Sequence, residues 1–183
     1  MRVLFLDIDG VLNGHEILLA AGCCGIDPKC VAHLNWVLER TGCKLVLSSA
    51  WRYMIYRRAM SIDGFWYMFR THGLANQGRG NPFVGLTIRD EWCVHCGNRS
   101  SKWGPPNKDG DLACRACGTC STRGDQITCW LTDNKEPPVE RYCVVDDLDL
   151  GISAAGHPLV LTNGRLGLTR GKAKAIVELL RDD

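Results

Sequence analysis

The N-terminal residues constrain the fold of this chain more than any other segment. Residues 3–6 are all apolar, and the next four are Asp7, Ile8, Asp9 and Gly10. A continuous apolar run that ends in carboxylates and a glycine is typical of a buried parallel strand with a ligand site at its C-terminal end. The sequence therefore predicts a parallel sheet in which Asp7 and Asp9 lie at a functional edge.

Two later segments repeat this pattern. Residues 43–47 lead into a pair of serines, and residues 141–145 lead into a pair of aspartates. The polar residues at these two predicted strand ends are Ser48, Ser49, Asp146 and Asp147. Because parallel strands end at the same edge of a sheet, we expect these side chains to lie near Asp7. Further strands are predicted at residues 83–88 and 159–162.

Helical segments alternate with these strands. Asp27 and Pro28 suit the N-cap and first position of a helix that Gly42 ends. The other predicted helices are residues 51–72 with an interruption at Asp63 and Gly64 and a C-cap at Gly73, residues 125–132, and residues 169–180, whereas residues 11–26 are expected to form an irregular flap. This alternation predicts an α/β fold, a Rossmann-like parallel sheet with helices on both faces.

Length, charge and cysteine content narrow the class of protein. A chain of 183 residues can bury one core, and its formal net charge of +2 lacks the basic excess of a dedicated nucleic-acid-binding protein. The 11 cysteines are an odd number, and the apolar start is too short for a secretory leader or a membrane span. We therefore expect the protein to lie in a reducing cytoplasm, without membrane association. In that compartment clustered cysteines indicate metal binding.

The predicted strand ends bring several carboxylates together. Asp7, Asp9, Asp146 and Asp147 would repel one another unless a divalent cation neutralised them. Carboxylate oxygens with water ligands suit Mg²⁺. The sequence therefore predicts a magnesium site at this edge.

Three segments of the chain resemble the motifs of a known family. Residues 7–13 (Asp-Ile-Asp-Gly-Val-Leu-Asn) resemble the first motif of the haloacid dehalogenase-like (HAD) superfamily, residues 45–49 its second and residues 144–147 its fourth. All three occur in the expected order. Residues 47–52 resemble in particular a small-cap branch of HAD domains found in phages, bacteria and RNA-repair proteins.

The resemblance implies a magnesium-dependent phosphatase mechanism. Asp7 would attack phosphorus and form an aspartyl-phosphate, while Asp9 would protonate the leaving oxygen and then activate water. Ser48 would hydrogen-bond a phosphoryl oxygen. Asp146, the Asp7 carboxylate and the backbone carbonyl of Asp9 would hold Mg²⁺. Asp147 would act from outside this first set of ligands or through water.

The family also uses a basic residue to offset the charge of the nucleophile and the phosphate. Arg123, just before the predicted helix that precedes the Asp146 strand, is our prediction for it, and Lys135 is the alternative. Substrate contacts are expected from Gly10, Asn13, Ser49 and Arg52. Arg52 belongs to an aromatic and arginine-rich stretch, residues 51–70, which could form a stacking platform for single strands but more simply packs on the sheet.

A cysteine-rich segment interrupts the α/β pattern. Residues 91–121 contain five cysteines and almost no aliphatic residues, so they need an organiser other than an apolar core. Two C-x-x-C pairs predict a tetrahedral structural Zn²⁺ site. The predicted ligands are Cys93, Cys96, Cys114 and Cys117, with Cys120 and His95 as less favoured alternatives.

This segment resembles a GATA-type zinc finger, including Trp103 in the loop between the cysteine pairs. The basic residues that would follow the tryptophan and the last cysteine in that family are absent, which argues against sequence-specific binding to duplex DNA. A mild local excess of basic residues could still guide a phosphorylated substrate.

The predicted organisation is a HAD-like catalytic core of residues 1–90 and 122–183 with a zinc-binding, cap-like insertion of residues 91–121. HAD enzymes with a large cap between the first two motifs close over small metabolites, and this interval has no room for one. The resemblance therefore implies bulky substrates, such as nucleic-acid ends, phosphoproteins or nucleotides. We expect a phosphohydrolase acting on phosphate monoesters. The alternatives are a zinc-stabilised nucleic-acid-binding module on an inactive HAD scaffold and a small-molecule nucleotidase.

Overall fold

The computed structural model describes residues 1–14, 25–56, 58–75, 78–87, 103–106, 112–114 and 122–181. In chain order its elements are β1 (Arg2–Leu6), α1 (Pro28–Thr41), β2 (Lys44–Leu47), α2 (Arg52–Tyr56), α3 (Ile62–Thr71), β3 (Phe83–Leu86), β4 (Trp103–Pro106), β5 (Leu112–Cys114), α4 (Arg123–Asp133), β6 (Arg141–Asp146), β7 (Leu159–Leu161) and α5 (Arg170–Leu180). The predicted strands and most of the predicted helices are present, with ends shifted by a few residues.

The main sheet has five parallel strands in the order β3-β2-β1-β6-β7. In its register Leu6 is opposite both Leu47 and Val145, so the ends of β1, β2 and β6 are level. The chain passes from β1 to β2 and β3 on one side and to β6 and β7 on the other. The strand order thus reverses beside the end of β1, where open α/β sheets bind ligands.

Helices cover both faces of this sheet, as predicted. On one face, Leu4 and Leu6 share a buried cluster with apolar residues of α1, α3 and α5. On the other face, Phe5 packs against Trp130 of α4, with the ring centroids 5.3 Å apart and nearly perpendicular. Burial of each such side chain contributes about 1.5–3 kcal/mol, so the two apolar faces fix β1 at the centre of the fold.

Helix ends follow the capping chemistry of the sequence. The Asp27 side chain accepts a hydrogen bond from the Lys29 amide at the start of α1, and Gly42 ends that helix with a left-handed φ of 62°. Thr122 and Asp125 form a reciprocal capping box at the start of α4. These caps confirm the predicted start and end of α1, and they show that α4 begins at Arg123, slightly earlier than expected.

The predicted interruption at Asp63 and Gly64 is wrong. The break lies between α2 and α3, where Arg58 has a φ of 57°, and α3 begins after Ser61. The Ser61 hydroxyl accepts a hydrogen bond from the Gly64 amide, so Gly64 lies in the first turn of α3 and does not end a helix. A serine N-cap satisfies the free amides of a first turn, and this effect outweighs the poor helix propensity of one glycine.

A two-stranded antiparallel sheet falls within the predicted insertion. Strands β4 and β5 pair there, with Trp103 opposite Cys114. Of the predicted zinc ligands, Cys114 ends β5, whereas Cys93, Cys96 and Cys117, like the alternatives His95 and Cys120, lie outside the described residues. In the part of the chain that the structure describes, no helix has both the length and the apolar character needed to cross a bilayer.

Candidate active site

Three carboxylates converge where β1 and β6 end. Asp7 directly follows β1, Asp146 is the last residue of β6 and Asp147 follows it. Each offers one oxygen that lies within 4.8 Å of the others. Asp7 is only 4% exposed, and its amide donates to the Val145 carbonyl, which extends the β1–β6 pairing to the site. The level strand ends therefore place these side chains as the sequence predicted.

Arg123 is the basic residue of this cluster. Its Nη1 donates to Oδ1 of Asp7 at 2.9 Å and also to Oδ2 of Asp146. As the first residue of α4, Arg123 is placed by the capping box and by its own amide, which donates to the Leu150 carbonyl. Lys135 is exposed beyond the other end of α4, which at 1.5 Å per residue is roughly 16 Å long. The geometry therefore favours Arg123 over Lys135.

The carboxylates perturb one another electrostatically. Burial raises the pKa of Asp7 to about 7; Arg123 opposes this shift, and the negative charges of Asp146 and Asp9 add to it. Burial also raises the pKa of Asp146 and that of Asp147. Desolvation and like-charge repulsion thus exceed what one guanidinium can offset. The Asp7, Asp146 and Asp147 cluster is a set of hard oxygen donors with uncompensated negative charge, and it fits a divalent cation such as Mg²⁺.

Glycines at this edge make room for Asp147. Gly10 has a φ of 72°, and a Cβ atom there would overlap the Asp147 carboxylate. On the other side, a Cβ at Gly164 would lie 2.7 Å from Oδ2 of Asp147. The Thr162 hydroxyl fixes the turn by donating to the Gly10 carbonyl at 2.9 Å. Gly10, predicted to contact substrate, thus has a clear structural function in admitting Asp147.

Asp9 has different partners, and those among the described residues are uncharged. Trp51 Nε1 donates to both carboxylate oxygens of Asp9 at 3.0 Å, and Asn13 Nδ2 donates to Oδ1 at 3.0 Å. Asn13 is fully buried, and its own Oδ1 accepts from the Gly10 amide at 2.9 Å. Asn13 was predicted to bind substrate, but its side chain is engaged with Asp9 and Gly10. Trp51 was assigned to helix packing, and sequence reasoning missed its bond to Asp9.

The two serines after β2 are both fully buried but have different contacts. The Ser48 hydroxyl accepts from Thr87 Oγ1 at 3.5 Å, whereas a side-chain hydrogen bond from Ser49 lowers the pKa of Asp7 against the larger effect of burial. In the described structure Ser49, rather than Ser48, is therefore the serine connected to Asp7. The phosphoryl contact predicted for Ser48 stays a prediction.

Arg52 is buried beside this group. It is 5% exposed, and its guanidinium donates to the Ser49 carbonyl at 3.1 Å and to Oε1 of Gln126 at 2.8 Å. Burial, and then the charge of Arg123, lower the pKa of Arg52 to about 10. Its Nε has no partner among the described residues. Arg52 therefore ties the Ser49 loop to α4 and adds positive charge near Asp7, but it is not a freely exposed phosphate contact.

Half of the described aromatic side chains between Ser49 and Arg70 are buried in the core. Trp51, Phe65 and Phe69 are buried, and the Phe65 ring packs against Trp51 and Phe69 with centroids 6.4 and 4.8 Å away. Among the described aromatics of this stretch, Tyr67 is 67% exposed. The simpler prediction, packing of this stretch on the sheet, is confirmed.

An open cavity of about 610 Å³ adjoins the carboxylates. Its wall is formed by Asp9, Gly10, Asp147, Thr162, Asn163, Gly164 and Arg165. The cavity is bounded by the candidate acid Asp9 on one side and by the turn after β7 on the other. It leaves open space directly beside Asp9 and Asp147.

Comparison with known proteins agrees with this geometry. The family model described as the HAD domain in Swiss Army Knife RNA repair proteins matches residues 3–173. No curated protein and no solved structure matches the chain. Enzymes with HAD domains are generally hydrolases, and phosphatases are prominent among them. Since the match covers nearly the whole chain, this protein belongs to the family of HAD domains of Swiss Army Knife RNA repair proteins.

Proposed function

We propose that this chain is a magnesium-dependent phosphohydrolase that cleaves phosphate monoesters, with Asp7 as the nucleophile and Asp9 as the acid and base. The observation that carries this proposal is the convergence of Asp7, Asp146 and Asp147 within 4.8 Å at the end of β1, with Arg123 bridging the first two. A buried carboxylate beside a guanidinium and a cation site is suited to attack a phosphate.

The first step transfers the phosphoryl group. An oxygen of Asp7 forms a bond to phosphorus while the ester P–O bond breaks, and the electron pair of that bond stays on the leaving oxygen. Asp9 gives its proton to the leaving oxygen and becomes a carboxylate. Arg123 stabilises the negative charge on the phosphoryl oxygens, and the buried Arg52 adds to the positive potential.

The second step restores the enzyme. The Asp9 carboxylate takes a proton from water as the water oxygen bonds to phosphorus, and the bond between phosphorus and Asp7 breaks. Inorganic phosphate leaves, with Asp7 ionised and Asp9 protonated again. The two carboxylates therefore need different surroundings, because one must attack and the other must exchange protons.

The residues that would hold Mg²⁺ are Asp7, Asp146 and the backbone carbonyl of Asp9, with Asp147 in contact directly or through water. When bound, the cation supplies Lewis-acid stabilisation of the phosphoryl charge and relieves the repulsion among these carboxylates.

We infer that the substrate is a nucleic-acid 3′- or 5′-phosphate end or a nucleotide, in a cytoplasmic setting. RNA repair in the family description supports this class of substrate. The open cavity beside Asp9 also supports it, because a wide cavity can admit a bulky leaving group. An alkoxide from a ribose is a poor leaving group, which explains the need for a proton donor at Asp9.

The test is phosphate release with and without Mg²⁺ from an aryl phosphate, end-phosphorylated oligonucleotides and free nucleotides. We expect turnover by the wild type and loss of more than about 10³-fold with Asp7→Asn, because the nucleophile is removed. Asp149→Asn, an exposed aspartate nearby, is the control. Saturation by free nucleotides without preference for oligomers would indicate a nucleotidase. Equal release by wild type and Asp7→Asn would refute the proposal, and salt-sensitive oligonucleotide binding without turnover would favour an inactive scaffold.

We propose further that residues 91–121 bind one structural zinc ion through Cys93, Cys96, Cys114 and Cys117. The two C-x-x-C pairs and the lack of aliphatic residues support this. Elemental analysis of purified protein is expected to give about one zinc per chain, and the variant with Cys96→Ser and Cys117→Ser is expected to lose it. Cys143→Ser, which changes a buried core cysteine, is the control and should retain zinc.

A further inference from the structure

The Asp9 carboxylate is held by a pair of side chains from different parts of the chain. Trp51 Nε1 lies 3.0 Å from each of its two oxygens, and Asn13 Nδ2 lies 3.0 Å from Oδ1. A single N–H that points between both oxygens fixes the plane of the carboxylate as well as its distance. Oδ1 of Asp9 accepts hydrogen bonds from both side chains, whereas Oδ2 accepts only the one shared with Trp51 among the described contacts. Oδ2 therefore has more room to exchange a proton with a substrate.

Packing prevents Trp51 from turning away. It is 8% exposed, and its ring lies 6.4 Å from the ring of Phe65 and 6.3 Å from that of Phe69, centroid to centroid. Its amide is also within 3.4 Å of the Ser49 hydroxyl, which connects it to the end of β2. An aromatic ring clamped in this way presents its N–H without a further loss of conformational entropy.

We propose that Trp51 is a positioning residue that orients Asp9 for proton transfer to the leaving group. This inference rests on the proposed phosphatase function and deepens it. The proton moves from Asp9 to the ester oxygen as the P–O bond breaks, so the contribution of Asp9 depends on how strongly that oxygen needs a proton. An alkoxide needs it, whereas a dinitrophenolate leaves as a stable anion without it.

This dependence distinguishes positioning from a structural effect. A change that merely loosens the fold or weakens binding of the phosphate lowers the rate for every ester, whereas misorientation of the acid lowers it selectively for esters with poor leaving groups. The ratio kcat/KM is the appropriate quantity, because it reports the steps up to phosphoryl transfer to Asp7 and excludes the later hydrolysis.

The experiment compares an oligonucleotide that carries a terminal phosphate with 2,4-dinitrophenyl phosphate, using the full chain. Trp51→Phe removes the N–H and keeps an aromatic ring. We expect kcat/KM to fall roughly 10–100-fold on the oligonucleotide and less than about threefold on the dinitrophenyl ester. Trp66→Phe, which changes another tryptophan packed against the same core, is the control and should change the two rates by the same small factor.

A second variant distinguishes loss of the N–H group from loss of ring packing. Replacement of Trp51 by benzothienylalanine keeps the two-ring shape and exchanges the N–H for sulfur, and the same selective loss is expected. Equal loss on both esters, or no loss on either, would overturn the positioning role while phosphate release by the wild type upholds the proposed function. No release by the wild type from any ester would overturn both.

Discussion

Asp7 and Asp9 lie two residues apart at the end of the same strand, yet their surroundings differ in every respect that matters for proton chemistry. Asp7 is almost fully buried and ion-paired with Arg123, and burial raises its pKa to about 7. Asp9 is partly exposed on the wall of an open cavity, and its described partners are uncharged. These different surroundings would suit the two functions proposed for the carboxylates, nucleophile for Asp7 and acid and base for Asp9.

The two sides are also built from different parts of the fold. The Asp7 side consists of β1, β6 and the start of α4, which are regular elements fixed by strand register and by a capping box. The Asp9 side consists of the turn that contains Asn13 and of Trp51, just before α2. We therefore expect changes on the Asp7 side to affect all turnover, and changes on the Asp9 side to affect turnover according to the substrate.

After removal of the nucleophile itself, the largest effect is expected from Asp146→Asn on the Asp7 side. The amide keeps the shape of the side chain and an oxygen that can accept from the Leu148 amide, but it removes one negative charge from the cation site. We expect kcat/KM to fall roughly 10³-fold, because a bound metal contributes several kcal/mol of transition-state stabilisation. Titration with Mg²⁺ should show weaker binding, and an unchanged Mg²⁺ affinity would show that Asp146 is not a ligand.

Arg123 should give the next largest effect. Arg123→Met keeps much of the length of the side chain but leaves Asp7 and Asp146 without their described cation, and we expect a loss of roughly 10²-fold in kcat/KM. Arg123→Lys should recover part of it, since the charge returns without the planar guanidinium geometry. If Met and Lys at this position were equally active, charge compensation by Arg123 would not be needed for turnover.

Stability without divalent cations should depend on pH through Asp7. Its pKa in the folded state, about 7, lies above its usual value, so the protonated form favours folding. The stabilisation is complete below about pH 4 and is lost as the pH rises to about 7. Between pH 5 and 7 in EDTA, we expect the wild type to lose about 2 kcal/mol of unfolding free energy relative to Asp7→Asn.

Denaturant titrations at each pH would measure this difference, and Mg²⁺ should reduce it by compensating the ionised carboxylate. The control is Asp149→Asn, whose stability should follow that of the wild type across the same range. Parallel pH curves for the wild type and Asp7→Asn would show that Asp7 titrates at its ordinary pKa and that its burial does not favour the protonated form.

The Asp7 side of the site was predictable from the sequence, for a physical reason. Apolar runs that end in Asp7 and in Asp146 are typical of buried parallel strands, and such strands end at the same edge of a sheet, so the convergence was expected. That the two strands are direct neighbours is a finding of the structure. Arg123 was predicted through the resemblance to the HAD superfamily, which implies a basic residue at the site. Its position as the first residue of α4, behind the Thr122 N-cap, was not predicted.

The Asp9 side was only partly predictable. Trp51 was assigned to packing because its aromatic neighbours suggested a core position, and nothing in the spacing indicates where an indole N–H points. Asn13, in the segment that resembles the first HAD motif, was predicted to contact substrate, and in the structure its amide group is bonded to Asp9 and Gly10. Side-chain direction in irregular segments depends on tertiary contacts more than on periodicity, and the misplaced helix break near Ser61 has the same origin.

A change at Asn13 is expected to give the smallest effect on activity, and one that depends strongly on the substrate. In Asn13→Ser the hydroxyl is too short to replace the bond to Asp9, but Trp51 still holds both carboxylate oxygens. We expect kcat/KM on the terminally phosphorylated oligonucleotide to fall about three- to tenfold, less than for Trp51→Phe, with little change on 2,4-dinitrophenyl phosphate. Because both donors act on the same carboxylate, the double variant should lose a different factor from the product of the two single losses. Simple multiplication of the losses would show that Asn13 and Trp51 act independently, and the Asp9 side would then not be a single orienting unit.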